Sequence, residues 1–262
     1  MLSSRKTKEL GDRVEELYKA GKHREIILRV DPNDIPSTLT GDKIRLRLGW
    51  AHYQLGEQEE ALVLFSKLVK TDLPTTEIGE GSTRGLAHIW IQKGKLSEAE
   101  DLIKKLPAGF NRDNIFINLY LAMVRKEMEI PAGDVMCFIA HAIIPPYAII
   151  NAHIVNNGSW ALFQARKQPE IKELLLALPG YLEKAKIIYQ EVNAQQNHIA
   201  SVLYRMAVVY EYLGETDKGL DCAEESKEIW LSLVSSQGGE RYQQNLKGAE
   251  DLRIRLQRQR NK

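Results

Sequence analysis

Apolar residues recur along the chain every three to four positions, which is the period of an amphipathic helix. Around residues 49–65 this pattern predicts a helix over about 40–55, a turn at Gly56 and a second helix over about 58–70. Val, Ile and Thr do not cluster in the alternating runs that are typical of strands. The pattern therefore predicts an all-α protein.

The same helix–turn–helix pattern recurs elsewhere in the sequence. Each of the turn glycines Gly56, Gly94 and Gly214 has a small residue seven positions before it and another five positions after it. These small residues are Gly49 and Ala61, Ala87 and Ala99, and Ala207 and Gly219. Antiparallel helices approach closely only where small side chains face each other, so the spacing predicts stacked helix pairs.

This spacing resembles the tetratricopeptide repeat, a helix–turn–helix unit of about 34 residues. Gly49, Tyr53, Gly56, Ala61 and Phe65 fit the repeat best. The resemblance implies a right-handed superhelix of about six antiparallel helix pairs with a C-terminal capping helix, in a single helical-repeat domain over 1–262. The predicted segments are clear repeats at about 40–73, 77–107 and 197–234, degenerate pairs at 4–31, 112–144 and 146–195, and the capping helix at 240–258.

Two stretches interrupt the helical pattern. Gly79, Gly81 and Gly85 weaken the first helix of the repeat at 77–107, and its first turns are expected to form a loop between repeats. The tripeptide Leu178–Gly180 is expected to interrupt the helical pattern before a helix over 181–192, because proline and glycine both disfavour helix interiors.

Composition excludes some classes of partner. Lys plus Arg (36) nearly equals Asp plus Glu (35), which argues against a nucleic-acid or anionic-membrane binder. The most apolar run, 135–150, is shorter than a membrane span and is broken by prolines. Cys137 and Cys222 lie in apolar helical patterns and are expected to be buried, reduced thiols. We therefore expect a cytoplasmic protein.

No catalytic or metal-binding constellation stands out from the sequence. The histidines are scattered and none belongs to an HExxH-like motif, while the glycine-rich stretch 79–85 lacks both a preceding strand and a following Gly-Lys pair. Ser159 is not in a GxSxG motif and coincides with the small packing position of Gly49. We predict no enzyme activity, no metal and no cofactor.

The resemblance implies that the first helix of each pair lines a concave groove. The residues that it places in this groove are Arg47, Trp50, Tyr53, Gln54, Arg84, His88, Asn156, Asn157, Trp160, Gln164, Tyr204 and Arg205. Aromatic side chains supply contact area to a peptide, while Asn and Arg hold its backbone and carboxylates. For Trp50 and Trp160 the alternative is ordinary packing between repeats.

The predicted function is a protein–protein interaction scaffold that binds a peptide or partner protein in the concave groove. Two other classes stay open. One is a regulator that senses a small molecule or peptide, and the other is a structural module that self-assembles as a homo-oligomer. The sequence does not identify the partner.

Overall fold

The computed structural model describes residues 3–71, 75–146, 148–237 and 240–262. Within these ranges the chain forms thirteen α-helices and one 3-10 helix, and no strand. The α-helices are α1 (Ser4–Lys19), α2 (His23–Arg29), α3 (Leu39–Gln54), α4 (Gln58–Thr71), α5 (Glu77–Gln92), α6 (Leu96–Ile103), α7 (Phe110–Arg125), α8 (Ala132–Ala142), α9 (Ile149–Gln164), α10 (Leu178–Glu191), α11 (Gln196–Leu213), α12 (Thr216–Gln237) and α13 (Glu240–Arg260). The 3-10 helix is Pro169–Ala177. The predicted all-α repeat fold is confirmed.

The helices form two compact units, Met1–Ala122 and Met123–Lys262, which we call unit 1 and unit 2. In unit 1 the first helices α1, α3 and α5 pack side by side, and in unit 2 α9, α11 and α13 do the same. The single domain over 1–262 stays a prediction. Residues 72–73, at the end of the repeat predicted at 40–73, and residue 147, in the pair predicted at 146–195, lie outside the described residues.

Left-handed residues end several of the helices. Gly56 has φ +80° at the turn between α3 and α4, where its amide donates to the Tyr53 carbonyl at 3.1 Å. Glycine adopts this conformation without a Cβ penalty, which is why it marks the clear repeats. Glu127 after α7 and Asn193 after α10 adopt the same conformation, with φ of 59° and 53°. These turns carry no glycine, so the pairs around them look degenerate in the sequence.

The expected loop at residues 79–85 is wrong, because α5 is helical from Glu77 onwards. The reason lies in the packing of Phe65, which is fully buried. A Cβ on Gly85 would lie 2.3 Å from the Phe65 ring, and one on Gly49 would lie 2.8 Å from it. Glycine is therefore required on α3 and α5 for a close approach to this ring, and it does not mark a loop.

The expected interruption at Leu178–Gly180 is also wrong, since α10 begins at Leu178. Pro179 lies in the first turn of α10, where a helix does not need the missing amide hydrogen. The expected burial of both cysteines is wrong for Cys137, which is exposed, and Cys222 is half-buried. In α8 the buried side is formed by Val135 and Ile139, and Cys137 lies between them in sequence.

Candidate interaction surfaces on the first helices

A polar cavity of about 480 Å³ lies along the first helices of unit 1, and we call it the unit 1 groove. Its walls come from α1, α3, α5 and the start of α7. Its lining residues are Tyr18, Leu46, Arg47, Trp50, Gln54, Glu77, Glu80, Gly81, Arg84 and Asn111. Four of the residues predicted from the sequence, Arg47, Trp50, Gln54 and Arg84, are thus brought together in one cavity.

Arg47 is held by α1 inside the unit 1 groove. Its Nε lies 2.7 Å from Glu15 Oε2, and its guanidinium carbon lies 4.9 Å from the centre of the Tyr18 ring. The hydrogen bond from Arg47 lowers the pKa of Glu15, so the pair is charged at neutral pH. The sequence did not indicate this pairing, because the two residues are 32 positions apart.

Trp50 lines the unit 1 groove and also packs against a cluster of rings that reaches into the core. Its ring makes edge contacts with Tyr53 at 5.5 Å, with Phe65 at 5.3 Å and with His88 at 6.2 Å. The Tyr53 hydroxyl accepts a hydrogen bond of 2.8 Å from Gln92. Burial and the nearby Arg84 charge lower the pKa of His88 to about 4, so this histidine is neutral at physiological pH. Trp50 therefore serves packing and lines the groove.

Arg84 is the second cation of the unit 1 groove. The closest carboxylate contact of its guanidinium is Glu80, with a nitrogen–oxygen distance of 3.9 Å. Its Nε is buried without a hydrogen-bond partner in the described residues. Glu80 Oε1 instead accepts a hydrogen bond of 3.0 Å from the Asn111 amide. Desolvation lowers the pKa of Arg84, which shows that its charge is poorly compensated.

Four of the predicted residues meet in unit 2 and form what we call the unit 2 cluster: Asn156, Asn157, Trp160 and Arg205. Arg205 on α11 reaches across to α9. Its Nη1 donates to Asn156 Oδ1 at 2.8 Å, to Asn157 Oδ1 at 2.9 Å and to the Asn156 carbonyl at 3.2 Å. Its guanidinium carbon lies 5.3 Å from the centre of the Trp160 ring.

A core tyrosine is connected to the unit 2 cluster. Tyr189 on α10 is fully buried, and its hydroxyl lies 2.7 Å from His153 Nδ1. Burial raises the pKa of Tyr189, and the nearby Asn156 side chain lowers it in part. The His153 ring packs edge-on against His198 at 5.0 Å. Burial, together with the charges of His198 and Arg205, lowers the pKa of His153 to about 4.

The two remaining predicted residues lie in different cavities. Tyr204 shares a cavity of about 290 Å³ with Arg205, and the other lining residues are Ser201, Trp230, Gln244, Asn245 and Gly248. Gln164 is exposed and lines a separate cavity of about 500 Å³ with Arg166 and Met128. The structure thus does not bring Gln164 together with the unit 2 cluster.

Sequence reasoning missed several residues of these surfaces. α13 was expected only to cap the stack, yet its residues Gln244, Asn245 and Gly248 line the cavity beside Arg205. Gly248 is a small residue inside an otherwise polar helix, and a small residue at such a position indicates packing against a neighbouring helix. The hydrogen bond of the Tyr189 hydroxyl to His153 joins residues 36 positions apart, and no local sequence signal indicates it.

Ser159 is fully buried and donates to the Val155 carbonyl at 2.7 Å, as a packing residue does. Among the described residues, no group of three or more His, Cys, Asp or Glu side chains is placed to hold a metal ion. In the same residues, none of the helices has both the length and the apolar character that a membrane span requires.

The helix pairs, their left-handed glycine turns and the small residues between them define an all-α helical-repeat protein. Residues 44–72, a stretch that includes most of α3 and all of α4, match the family model described as tetratricopeptide repeat. The chain thus carries a tetratricopeptide repeat in this stretch, and the resemblance predicted from the sequence is confirmed. Repeats of this family generally mediate protein–protein interaction, and all-helical repeat folds of this type are typically non-enzymatic.

One of the solved structures that resemble the chain is the crystal structure of BtubC (BKLC) from P. vanneervenii. The two share 15% sequence identity, with a TM-score of 0.38, over 97% of this chain and 91% of that chain. A comparison with curated protein sequences gave no significant match.

Proposed function

We propose that the chain is a non-enzymatic interaction module that holds an extended segment of a partner protein against its first helices. We place this activity in the cytoplasm, and we expect it to require no nucleic acid, membrane or cofactor. The observation that carries the proposal is the unit 1 groove, where Arg47, Trp50, Gln54 and Arg84 from two successive repeats line one cavity.

The chemistry of the unit 1 groove suits a peptide. Trp50 offers a partly exposed aromatic face, and such residues commonly supply much of the binding energy at protein interfaces. Gln54 is exposed and carries both a donor and an acceptor for a peptide backbone. Arg84 also lines the groove, and its closest carboxylate, Glu80, is 3.9 Å away, so its guanidinium could bind a partner's carbonyl or carboxylate.

The unit 2 cluster supports the same proposal independently of unit 1. Asn156 and Asn157 are fixed by Arg205, and Trp160 is held between Arg205 and Phe163, with ring centres of Trp160 and Phe163 5.3 Å apart. Side chains that are already ordered lose less conformational entropy on binding. A partner segment would therefore meet a preformed surface.

Selection from a library of random 12-residue peptides displayed on phage, with the whole chain as target, tests this proposal. Selected peptides would be labelled with fluorescein, and their affinity measured by fluorescence anisotropy. We expect Trp50→Ala or Trp160→Ala to weaken binding by about thirtyfold, as truncation of an anchor at an interface typically does. Val63→Ala is the control, because Val63 is 68% exposed on the second helix α4.

Circular dichroism and thermal unfolding would first establish that each variant is folded. Failure to select any peptide that binds the chain would contradict the proposal. So would selected peptides whose affinity changes equally little in both tryptophan variants and in the Val63 control.

A further inference from the structure

Arg205 is a cation that the protein fixes on one side only. All three of its hydrogen bonds use Nη1, and the acceptors are two amide oxygens and one backbone carbonyl. Within the described residues Nε and Nη2 make no hydrogen bond, and Arg205 lines a cavity of about 290 Å³. The edge of a guanidinium that carries Nε and Nη2 presents two parallel N–H groups, which match the two oxygens of a carboxylate.

The charge of Arg205 is not neutralised by the protein. Its guanidinium has no carboxylate within 4.0 Å among the residues that the structure describes. Two other arginines on the first helices are closely paired, Arg47 with Glu15 at 2.7 Å and Arg255 with Glu211 at 2.6 Å. Burial and the nearby Arg125 charge lower the pKa of Arg205 to about 10, which still leaves it protonated at neutral pH.

A largely buried cation without a counter-ion is costly, because burial removes water that the protein does not replace with an opposite charge. An anion that enters the cavity of about 290 Å³ beside Arg205 would supply that charge. No Lys and no second Arg belongs to the lining, so the cavity offers one guanidinium. This favours a singly charged, planar carboxylate over a phosphate, which binds best where several cations converge.

We propose that Arg205 is a subsite for the carboxylate of an acidic side chain, Asp or Glu, within the bound partner segment. This assignment rests on the proposed function and names the chemistry of its ligand. A side chain is favoured over a peptide C-terminus because the guanidinium is largely buried, and a carboxylate on a flexible stem reaches it with the backbone outside. The unit 2 cluster would thus select acidic segments.

Small probes test the subsite without a partner protein. The whole chain, labelled with ¹⁵N, is titrated while the Nε–Hε resonance of Arg205 is followed by NMR; its loss in Arg205→Lys identifies it. N-acetylglutamate N-methylamide carries the side-chain carboxylate, and N-acetylglycine carries a terminal one. N-acetylglutamine N-methylamide and sodium phosphate at equal ionic strength are the controls.

We expect a saturable shift with the glutamate probe and at least about tenfold weaker binding of the glutamine probe, since bonds to a charged group are the stronger ones. Absence of saturation with the glutamate probe would overturn the subsite. Equal or tighter binding of N-acetylglycine would overturn its assignment to a side chain. Equal or tighter binding of phosphate would overturn its assignment to a carboxylate.

A charge change next to Arg205 gives a second test that does not remove the arginine. Asn157→Asp places a carboxylate where an amide oxygen now lies 2.9 Å from Nη1. Because this carboxylate would pair with Arg205, we expect the affinity for the glutamate probe to fall at least about tenfold. Asn261→Asp makes the same charge change at an exposed site and should leave the affinity unaltered. Equal affinities in the two variants would contradict the subsite.

The peptide selection and the NMR titration together distinguish the Arg205 subsite from the proposed interaction function on which it rests. Peptides that bind through Trp50 and Trp160 while the glutamate probe gives no shift at Arg205 would reject the subsite alone. A saturable shift from the glutamate probe, with no peptide selected from the library, would reject the interaction module and leave an anion site.

Discussion

Phe65 in unit 1 and Tyr189 in unit 2 occupy corresponding positions, each four residues after a fully buried alanine on a second helix. Both rings are 0% exposed. The Phe65 ring lies between glycines on α3 and α5 and against Trp50. The Tyr189 hydroxyl is hydrogen-bonded to His153 and lies near Asn156, which accepts a hydrogen bond from Arg205.

The difference shows how one atom changes the role of a core residue. In unit 1 the ring contributes only packing, and the cation Arg47 on the surface is paired with Glu15 from a neighbouring helix. In unit 2 the hydroxyl forms a hydrogen bond to His153, and the neighbouring Asn156 accepts from Arg205, a cation with no carboxylate within 4.0 Å among the described residues. We infer that unit 1 pairs its cation Arg47 with a carboxylate of its own, whereas unit 2 leaves the charge of Arg205 available for an anion.

The largest expected effect in this comparison comes from Phe65→Ala. Removing a fully buried ring leaves a cavity between α3, α4 and α5, and we expect unit 1 to lose about 3–5 kcal/mol of stability. Urea denaturation followed by tryptophan fluorescence measures the loss, with Phe65→Leu as the milder control. A loss below about 1 kcal/mol would show that α3, α4 and α5 can move together and fill the space left by the Phe65 ring.

Acidification is the next largest expected effect, and it acts on both units. His88 and His153 each have a folded pKa of about 4, below the ordinary value of 6.5. The unfolded chain therefore binds protons first, so the contribution of each histidine to stability falls between about pH 6.5 and pH 4 and changes no further below pH 4. We expect a loss on the order of 1–3 kcal/mol per histidine, after allowing for partial exposure.

His88→Gln and His153→Gln are the tests of this pH dependence. Each should reduce the slope of stability against pH in its own unit, as measured by hydrogen exchange of peptides from units 1 and 2. Equal slopes in the variants and the unaltered chain would mean that both histidines are accessible to protons in the folded state.

Gly85→Ala is expected to destabilise unit 1 by about 2 kcal/mol. The new Cβ would lie 2.3 Å from the Phe65 ring, and this overpacking outweighs the gain of about 1 kcal/mol in helix propensity. Gly133→Ala on α8 is the matched control, because nothing lies within 4 Å of its Cβ, and it should be neutral or stabilising. Thermal unfolding compares the two, and equal changes would refute the argument from close approach.

The smallest expected effect comes from exchanging the two core rings, so that the hydroxyl is lost in unit 2 and gained in unit 1. Tyr189→Phe removes the hydrogen bond to His153 and should cost about 1 kcal/mol of stability, measured in urea. Phe65→Tyr places a polar hydroxyl in the fully buried space around the Phe65 ring, and we expect it to destabilise unit 1. If Tyr189→Phe has no effect on stability or on the Arg205 resonance, the Tyr189 hydroxyl does not position the unit 2 cluster.

Much of the fold follows from the sequence because its signals are local. The turn glycines, the small residues at fixed distances from them and the helical period of apolar residues indicated the all-α repeat. The expected loop at residues 79–85 was wrong because glycine has two roles in this chain. At Gly56 it forms a turn, and at Gly85 it leaves space for a ring from another helix. The sequence alone does not distinguish these roles, because the ring is 20 positions away.

The candidate surfaces were predictable in part. The helical period places Trp160, Asn156 and Asn157 near one face, and the structure brings Arg205 to them. The charge state of that face depends on which carboxylates lie nearby in space. Glu15 pairs with Arg47 across 32 residues, and none of the carboxylates that the structure describes is placed within 4.0 Å of the Arg205 guanidinium. This distinction between a paired and an unpaired arginine needs tertiary structure.

The glycines of α5 have a consequence for the order of folding. Gly79, Gly81 and Gly85 together cost an isolated α5 about 3 kcal/mol relative to alanine, so this helix has little tendency to form by itself. It becomes helical once α3 and α4 present the Phe65 ring and the Leu46 side chain on which Gly85 and Gly81 pack. We expect α5 to join a preformed α3–α4 hairpin late in the transition, so one wall of the unit 1 groove is assembled last.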